Sequence, residues 1–388
     1  MKNQSLINRR RFLQLSAISG AASLIPVSVN AAVTPLQSST MPYRALGKTG
    51  LSLSVFSLGP IRGNSAAMIK AAFRAGVNHF DSGHAYREGQ TDLLLGGMIK
   101  RGDLPREKVV LSTKVKMHDN VPDDTYEEVF RQRLDQSLER LGVPFVDLFY
   151  YHEALTTAEV GDPRIHKLLL EAKQSGKSRF IGISIHGYEP DMLQAVIDAK
   201  IYDVVMMFYN YKQKDSDLIK QRIEQAAQAG IGIIAMKVMA GAKGVDGASA
   251  MKWALQNKHI TTALMGCGSF DEYEADLEAA LNPEMTLEDK QRLELACGND
   301  DIYCQQCQQC KSQCPHHLPI PEIMRSYMYL YGYNEPLEAK KVLDELAIFN
   351  SPCDSCDTCT VKCTAGFDIA QKISKVTRLQ QTPVEFLT

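Results

Sequence analysis

Cysteine is nearly missing from the first three hundred residues: of ten in the 388-residue chain, only Cys267 and Cys297 come before residue 300. That asymmetry marks a compositional boundary near residue 300. A basic surplus is also lacking, since 43 Lys and Arg against 45 Asp and Glu leave a formal charge of -2, which removes nucleic acid from the partner classes. No stretch reaches the ~18 consecutive apolar residues that a spanning helix needs, so no stable membrane span is expected in the mature protein. No flavin motif is visible either. What remains is 45% hydrophobic, an ordinary soluble composition with length enough for one large core and something smaller.

The N-terminus reads Asn8-Arg-Arg-Arg-Phe-Leu-Gln14, then a mildly apolar run through Leu15, Ile18, Leu24 and Ile25 to Val29-Asn30-Ala31. Charged head, apolar middle and small-residue exit make a signal peptide over residues 1–31, with a linker over 32–42. Paired arginines followed by x-Phe-Leu resemble the twin-arginine signal, with Asn8 where Ser or Thr is usual and Gln14 where Lys is usual. Ser16, Ser19, Gly20, Ser23 and Pro26 interrupt the run too often for a membrane helix, and no cysteine near the exit offers a lipid anchor. The expectation is a protein that starts near Ala32 and is carried, already folded, to the periplasm by the twin-arginine export machinery.

Cysteine is dense where the rest of the chain is poor in it. The run C-x2-C-x2-C-x3-C occupies Cys304, Cys307, Cys310 and Cys314 and recurs 49 residues on at Cys353, Cys356, Cys359 and Cys363. Exported proteins use cysteine for disulfides, but a duplicated spacing at constant offset is not what disulfides require. Structural zinc pairs two C-x2-C knuckles across a spacer and leaves a third cysteine two residues on without a role. The spacing is that of bacterial two-cluster ferredoxins, in which the last cysteine of each run ligates the other cluster. Cys304, Cys307, Cys310 and Cys363 are therefore expected to hold one [4Fe-4S] cluster, and Cys353, Cys356, Cys359 and Cys314 the second. Thr364 stands where the first run has Pro315. Between the runs, Pro321 and Pro336 each open an apolar pattern of helical period. Residues 298–388 thus resemble a small, mainly helical ferredoxin-like domain. Met324, Tyr327, Met328 and Tyr331 read as core over the clusters, and His316-His317 as surface.

From residue 43 to 297, short β-rich runs alternate with helical patterns. Strands are predicted at 55–58, 77–81, 109–113, 145–150, 179–184, 203–206, 232–236 and 262–265. Eight strands separated by helices build a closed parallel α/β barrel of (β/α)8 type, the TIM barrel, with its chemistry at the strands' C-terminal ends. Those ends present Asp81, Tyr86, Lys114 and His152 on one rim.

Here the chain resembles the aldo-keto reductase family, through Phe80-Asp-Ser-Gly-His-Ala-Tyr86, Leu111-Ser-Thr-Lys114, Tyr150-Tyr-His152, Gly182-Ile-Ser184 and Gly266-Cys-Gly-Ser269. With its cysteine runs it is similar to the iron-sulfur branch of that family. The resemblance implies an oxidoreductase that interconverts a small carbonyl and an alcohol. Tyr86 would be the proton donor, Lys114 the cation tuning it, Asp81 the carboxylate holding Lys114, and His152 the group orienting the carbonyl. It also implies NAD(P), with Ser184, Lys237, Gly266, Gly268 and Ser269 as binding residues. Ile185 replaces the family's Asn beside Ser184, and Met206 and Met236 stand where a glutamine and a stacking tyrosine are usual. Glu272 opposes a 2′-phosphate, so NADPH is disfavoured.

Two functions follow. In the first, carbonyl and alcohol interconvert at Tyr86 with electrons linked to the two clusters and to a redox partner protein. In the second, the protein transfers electrons and the barrel is a docking scaffold whose nicotinamide site has decayed.

Overall fold

A computed structural model describes residues 40–59, 65–117, 121–241, 246–297, 302–354, 356 and 358–387. The expected signal peptide and most of the linker lie outside the described residues.

The first described elements are a hairpin. Strand β1 (Tyr43–Ala45) pairs antiparallel with β2 (Ser52–Ser54). Eight parallel strands follow: β3 (Phe56–Leu58), β4 (His79–Asp81), β5 (Val110–Val115), β6 (Val146–Ala154), β7 (Ser178–Ile185), β8 (Val204–Phe208), β9 (Gly232–Met236) and β10 (Thr262–Met265). They pair in sequence order, and β10 closes onto β3 to complete the barrel. Strands covered on both faces must be apolar throughout, and β5 and β6 are buried along their whole lengths. Of the polar residues within them, the Asp147 carboxylate accepts from the Leu111 N–H at 2.9 Å and meets Arg106 and Arg179, each at 2.8 Å.

The helices follow local rules. Ser65 caps Ala66–Arg74 by accepting from Met68 N–H, and Met68, Ile69 and Ala72 turn inward. Tyr126–Leu141 buries Phe130, Leu134 and Leu138 and stops at Gly142, whose φ of 65° is a left-handed helix terminus. Gly96 is needed for packing, because a Cβ there would overlap the Arg140 carbonyl.

The hairpin was not foreseen. Leu46 and Leu53, both fully buried, enter the barrel from the end opposite the rim and pack with Val110, Leu148, Tyr150 and Ile234.

After the helix Leu287–Cys297, the C-terminal residues form three further helices: Ile320–Tyr331, Pro336–Glu345 and Ile369–Thr377. Ile323, Met324, Leu343, Ile373 and Val376 make a second core at zero exposure, which also takes in Ala240 from the loop after β9. Met324, Tyr327 and Met328 are buried as expected; Tyr331 is exposed, as are His316 and His317. Among the described residues no helix is long and apolar enough to cross a membrane.

Candidate active site

Asp81 is the last residue of β4, Lys114 lies within β5 and His152 within β6. The last two were expected after their strands, but both strands run further than the apolar runs suggested. Lys114 donates to the Asp81 carboxylate and, at 2.7 Å, to the Ser82 carbonyl; the Ser112 hydroxyl donates to the other Asp81 oxygen at 2.5 Å.

Behind Asp81 a polar chain crosses the barrel interior. Ser112 spends its proton on Asp81, so its oxygen accepts from His79 Nε2–H at 3.1 Å. Nδ1 of His79 then accepts from Ser57 at 2.8 Å, and Ser57 from Thr262 at 2.7 Å. Burial lowers the His79 pKa to about 4, so the ring is neutral and its tautomer is fixed by this chain.

Tyr86 sits in the turn after β4. Arg87 and Glu88 behind it have φ of 47° and 57°, and Gly89 has 85°, a left-handed run that swings the phenol over the barrel mouth. The Lys114 ammonium lies 4.6 Å from the Tyr86 ring centroid, and the phenol oxygen is 3.5 Å from His152 Nε2. Burial and then the Asp81 charge push the phenol well above its ordinary value. Lys114 was expected to draw it down; engaged with Asp81 and Ser82 and set against the ring face, the ammonium leaves Tyr86 a firmly protonated donor. Burial holds His152 far below the usual imidazole value, hence neutral.

His186, just past β7, was not foreseen. Its ring stands edge-on to His152, with centroids 6.0 Å apart, and burial lowers its pKa to about 3. Nδ1 of both rings is buried without a hydrogen-bond partner among the described residues.

These groups open onto a cavity of about 160 Å³. Its floor is apolar, with Met206, Met236, Leu264 and Met265; its roof comes from the C-terminal helices, with Tyr329, Tyr333, Glu338 and Lys341. Sequence alone could not place those four, because only docking of the helices brings them to the barrel.

The expected nucleotide residues separate into two groups. Lys237 and Gly266 line the cavity. Lys237 lies 4.5 and 5.3 Å from the Tyr329 and Tyr333 ring centroids, and burial lowers its pKa. Ser184 is fully buried and accepts from the Glu153 N–H at 2.8 Å. Gly268 N–H donates to Glu272 at 2.8 Å, and Ser269 caps the following helix by accepting from Glu272 N–H at 3.1 Å. The apolar floor suits a nicotinamide ring, and the Glu272 carboxylate takes up the Gly268 N–H.

The eight terminal cysteines carry no disulfide. Burial raises the Cys304 thiol, Gln306 backbone lowers it, and the nearby Cys310, Cys363 and Cys307 raise it again. Cys353 is raised to about 11 by burial and then by Cys356, Cys359 and Cys314. Cys363 of the second run is thus among the groups acting on Cys304, and Cys314 of the first among those acting on Cys353. Gln306 and Gln308 have φ of 54° and 61°, which wraps the first run around its thiols. Among the described residues no three His, Cys, Asp or Glu converge on a single metal ion.

A profile of the aldo/keto reductase family matches residues 61–245. The chain is 27% identical over 303 residues to L-galactose dehydrogenase of Arabidopsis thaliana, covering 64% of this chain and 91% of that one. It is 30% identical over 173 residues to L-glyceraldehyde 3-phosphate reductase of Escherichia coli (strain K12), covering 41% of this chain and 49% of that one. The holo form of an aldo-keto reductase of Bacillus halodurans superposes with a TM-score of 0.54 at 19% identity, over 69% of this chain and 99% of the other, a likeness of fold. Profile and relatives agree over the barrel: residues 61–245 match the aldo/keto reductase family, and the protein is an oxidoreductase.

Proposed function

We propose that the protein reduces a small hydroxylated carbonyl compound, or oxidises the matching alcohol, at Tyr86. The observation that carries this reading is the convergence of Asp81, Tyr86 and His152 on one cavity, with Lys114 held behind them on Asp81. Tyr86 gives its proton to the carbonyl oxygen as charge develops there, and neutral His152 beside it orients that oxygen. Lys114, anchored by Asp81, lies against the Tyr86 ring face and holds the ring in place beneath the carbonyl. In the reverse direction the same oxygen takes the alcohol proton. A bound dihydronicotinamide would supply a hydride, and the apolar floor of Met206 and Met236 would receive its ring; the unphosphorylated dinucleotide suits the Glu272 end.

The hydroxylated substrate is favoured by lining groups of both signs. Lys237, Lys341, Glu335 and Glu338 all line the cavity, and hydroxyls can both accept from ammonium and donate to carboxylate. The relatives named for L-galactose and for a glyceraldehyde phosphate act on hydroxylated compounds, which agrees.

The C-terminal residues are read as a ferredoxin-like domain with two [4Fe-4S] clusters, one on Cys304, Cys307, Cys310 and Cys363, the other on Cys353, Cys356, Cys359 and Cys314. The repeated spacing, with all eight thiols free and six of them in or against an apolar core, supports that assignment. Such clusters carry single electrons and would link the barrel to a redox partner protein. Clusters are built in the cytoplasm, so a twin-arginine route that exports folded proteins fits both ends of the chain, and the periplasm is the proposed compartment.

The test is anaerobic purification, iron and sulfide assay, EPR, and titration with NADH and NADPH, followed by carbonyl reduction by the parent and by Tyr86→Phe. Reduction by Tyr86→Phe at the parent rate overturns the reading, and protein with no iron overturns the cluster assignment.

A further inference from the structure

The two side chains that handle the proton sit beside backbone that does not hold itself. Tyr86 precedes the left-handed Arg87 and Glu88. His152 precedes Glu153, whose φ is 71° and which lies in a register break between Tyr151 and Ala154 of β6. Non-glycine residues persist in such conformations only where their surroundings impose them.

In both places a cation from the C-terminal helices reaches the neighbouring residue. Arg325 Nη2 meets the Glu153 carboxylate at 2.5 Å, with side-chain exposures of 4% and 8%. Lys341 Nζ donates to the Ala85 carbonyl, one residue before Tyr86, at 3.0 Å. Burial raises the Glu153 carboxyl, but Arg325 and Lys116 more than reverse this, so it stays ionised and the clamp holds. Nε and Nη1 of Arg325 have no acceptor among the described residues, so its charge leans on Glu153.

We propose that the C-terminal module completes the catalytic geometry: Arg325 and Lys341 are positioning residues that hold His152 and Tyr86, through Glu153 and the Ala85 carbonyl, at the spacing proton transfer requires. The module is then part of the reaction machinery whatever electrons it carries. This rests on Tyr86 as proton donor, and the test separates the two ideas.

Full-length, anaerobically purified protein is compared with Arg325→Met, Lys341→Met and the two conservative variants Arg325→Lys and Lys341→Arg. Glyceraldehyde reduction is followed with whichever of NADH, NADPH or reduced methyl viologen drives the parent. Hydrogen–deuterium exchange is read on peptides spanning residues 83–89 and 151–155. Displacing catalytic groups by about 1 Å costs up to ~10²-fold in rate, so each Met variant should lose roughly 10- to 100-fold in kcat. KM should change little, exchange should quicken in the matching peptide, and the conservative variants should recover most of the rate. Lys214→Met, which removes a 2.6 Å hydrogen bond to the Thr364 carbonyl far from both loops in sequence, should leave kcat unchanged.

Unchanged kcat and unchanged exchange in both Met variants would overturn the proposal, as would a loss of kcat with both peptides protected as in the parent. Lys341→Met also removes a charge from the cavity lining, so should Arg325→Met fail to fold, the exchange of residues 83–89 in Lys341→Met decides the proposal. If Tyr86→Phe keeps the parent rate, the proton-donor reading fails, while the exchange data still decide whether the module holds the two loops.

Discussion

Replacing Lys114 with Met removes one charge from a pair in which both side chains are 1% exposed. Breaking a buried pair from one side costs ~3–5 kcal/mol, because the remaining charge stays out of water. Asp81 keeps the Ser112 hydroxyl at 2.5 Å, which favours the lower end of that range. The Ser82 carbonyl loses its 2.7 Å donor, adding about 1 kcal/mol. A destabilisation of ~4 kcal/mol follows. Asp81→Asn is expected to cost ~3 kcal/mol by the same reasoning applied to the stranded ammonium. The double variant leaves no buried charge, so its cost should fall short of the sum by at least ~2 kcal/mol. Urea unfolding followed by the fluorescence of Trp253, the only tryptophan in the chain, which packs 4.8 Å from the Tyr209 ring, measures all four proteins. A Lys114→Met variant within ~1 kcal/mol of the parent, or a double variant at the full sum of the singles, would refute the buried-pair argument.

Other consequences can be measured. Tyr86→Phe should lower kcat by roughly 10²- to 10⁴-fold, the range ascribed to a positioned proton donor, with its fold intact by circular dichroism. His79 has a folded pKa of about 4 against an ordinary 6.5, so the folded barrel binds fewer protons than the unfolded chain between those values. Its contribution is therefore full above pH 6.5 and lost as pH falls, by about 2 kcal/mol at pH 5; His79→Gln should flatten that part of the stability–pH curve. Gly96→Ala should cost ~1–3 kcal/mol by overpacking two helices, read as a lower unfolding midpoint. Cys363→Ala and Cys307→Ala should each abolish the same EPR signal, and Cys314→Ala and Cys356→Ala the other; removal of different signals within either pair would undo the crossed grouping.

Much of this fold was legible because a parallel barrel strand is buried on both faces and must be written as an apolar run. Runs such as Val109–Thr113 and Gly232–Met236 stand out on that account. Their ends were less legible: β6 continues through Tyr151, His152 and Glu153, polar or bulky residues that look like loop until their partners are known. The hairpin escaped because β1 and β2 have only three residues each, too few for alternation to register. Asp81, Tyr86, Lys114 and His152 were found from strand ends and family likeness together. His186 follows Ser184 and Ile185 directly, and its single signal was a titratable residue at a strand end. Arg325, Tyr329, Tyr333 and Lys341 were invisible as site residues, since their periodicity speaks only of a helix and not of what the helix covers. Glu272 was read from its charge alone, and its bond to the Gly268 N–H could not be seen before the fold was known.

The hairpin at the far end of the barrel has a consequence for how the chain acquires its shape. Lys48 N–H bonds to the Gly230 carbonyl at 2.9 Å, and Leu46 lies against Gly232, so a segment made early in synthesis finds its seat only after some 180 further residues exist. Closure likewise waits for β10 to reach β3. Contacts this distant in sequence slow folding, because the loop entropy is lost before the contact is gained. A ribosome-bound fragment ending before β9 would hold a stopper with no vessel, its leucines open to whatever chaperone is near.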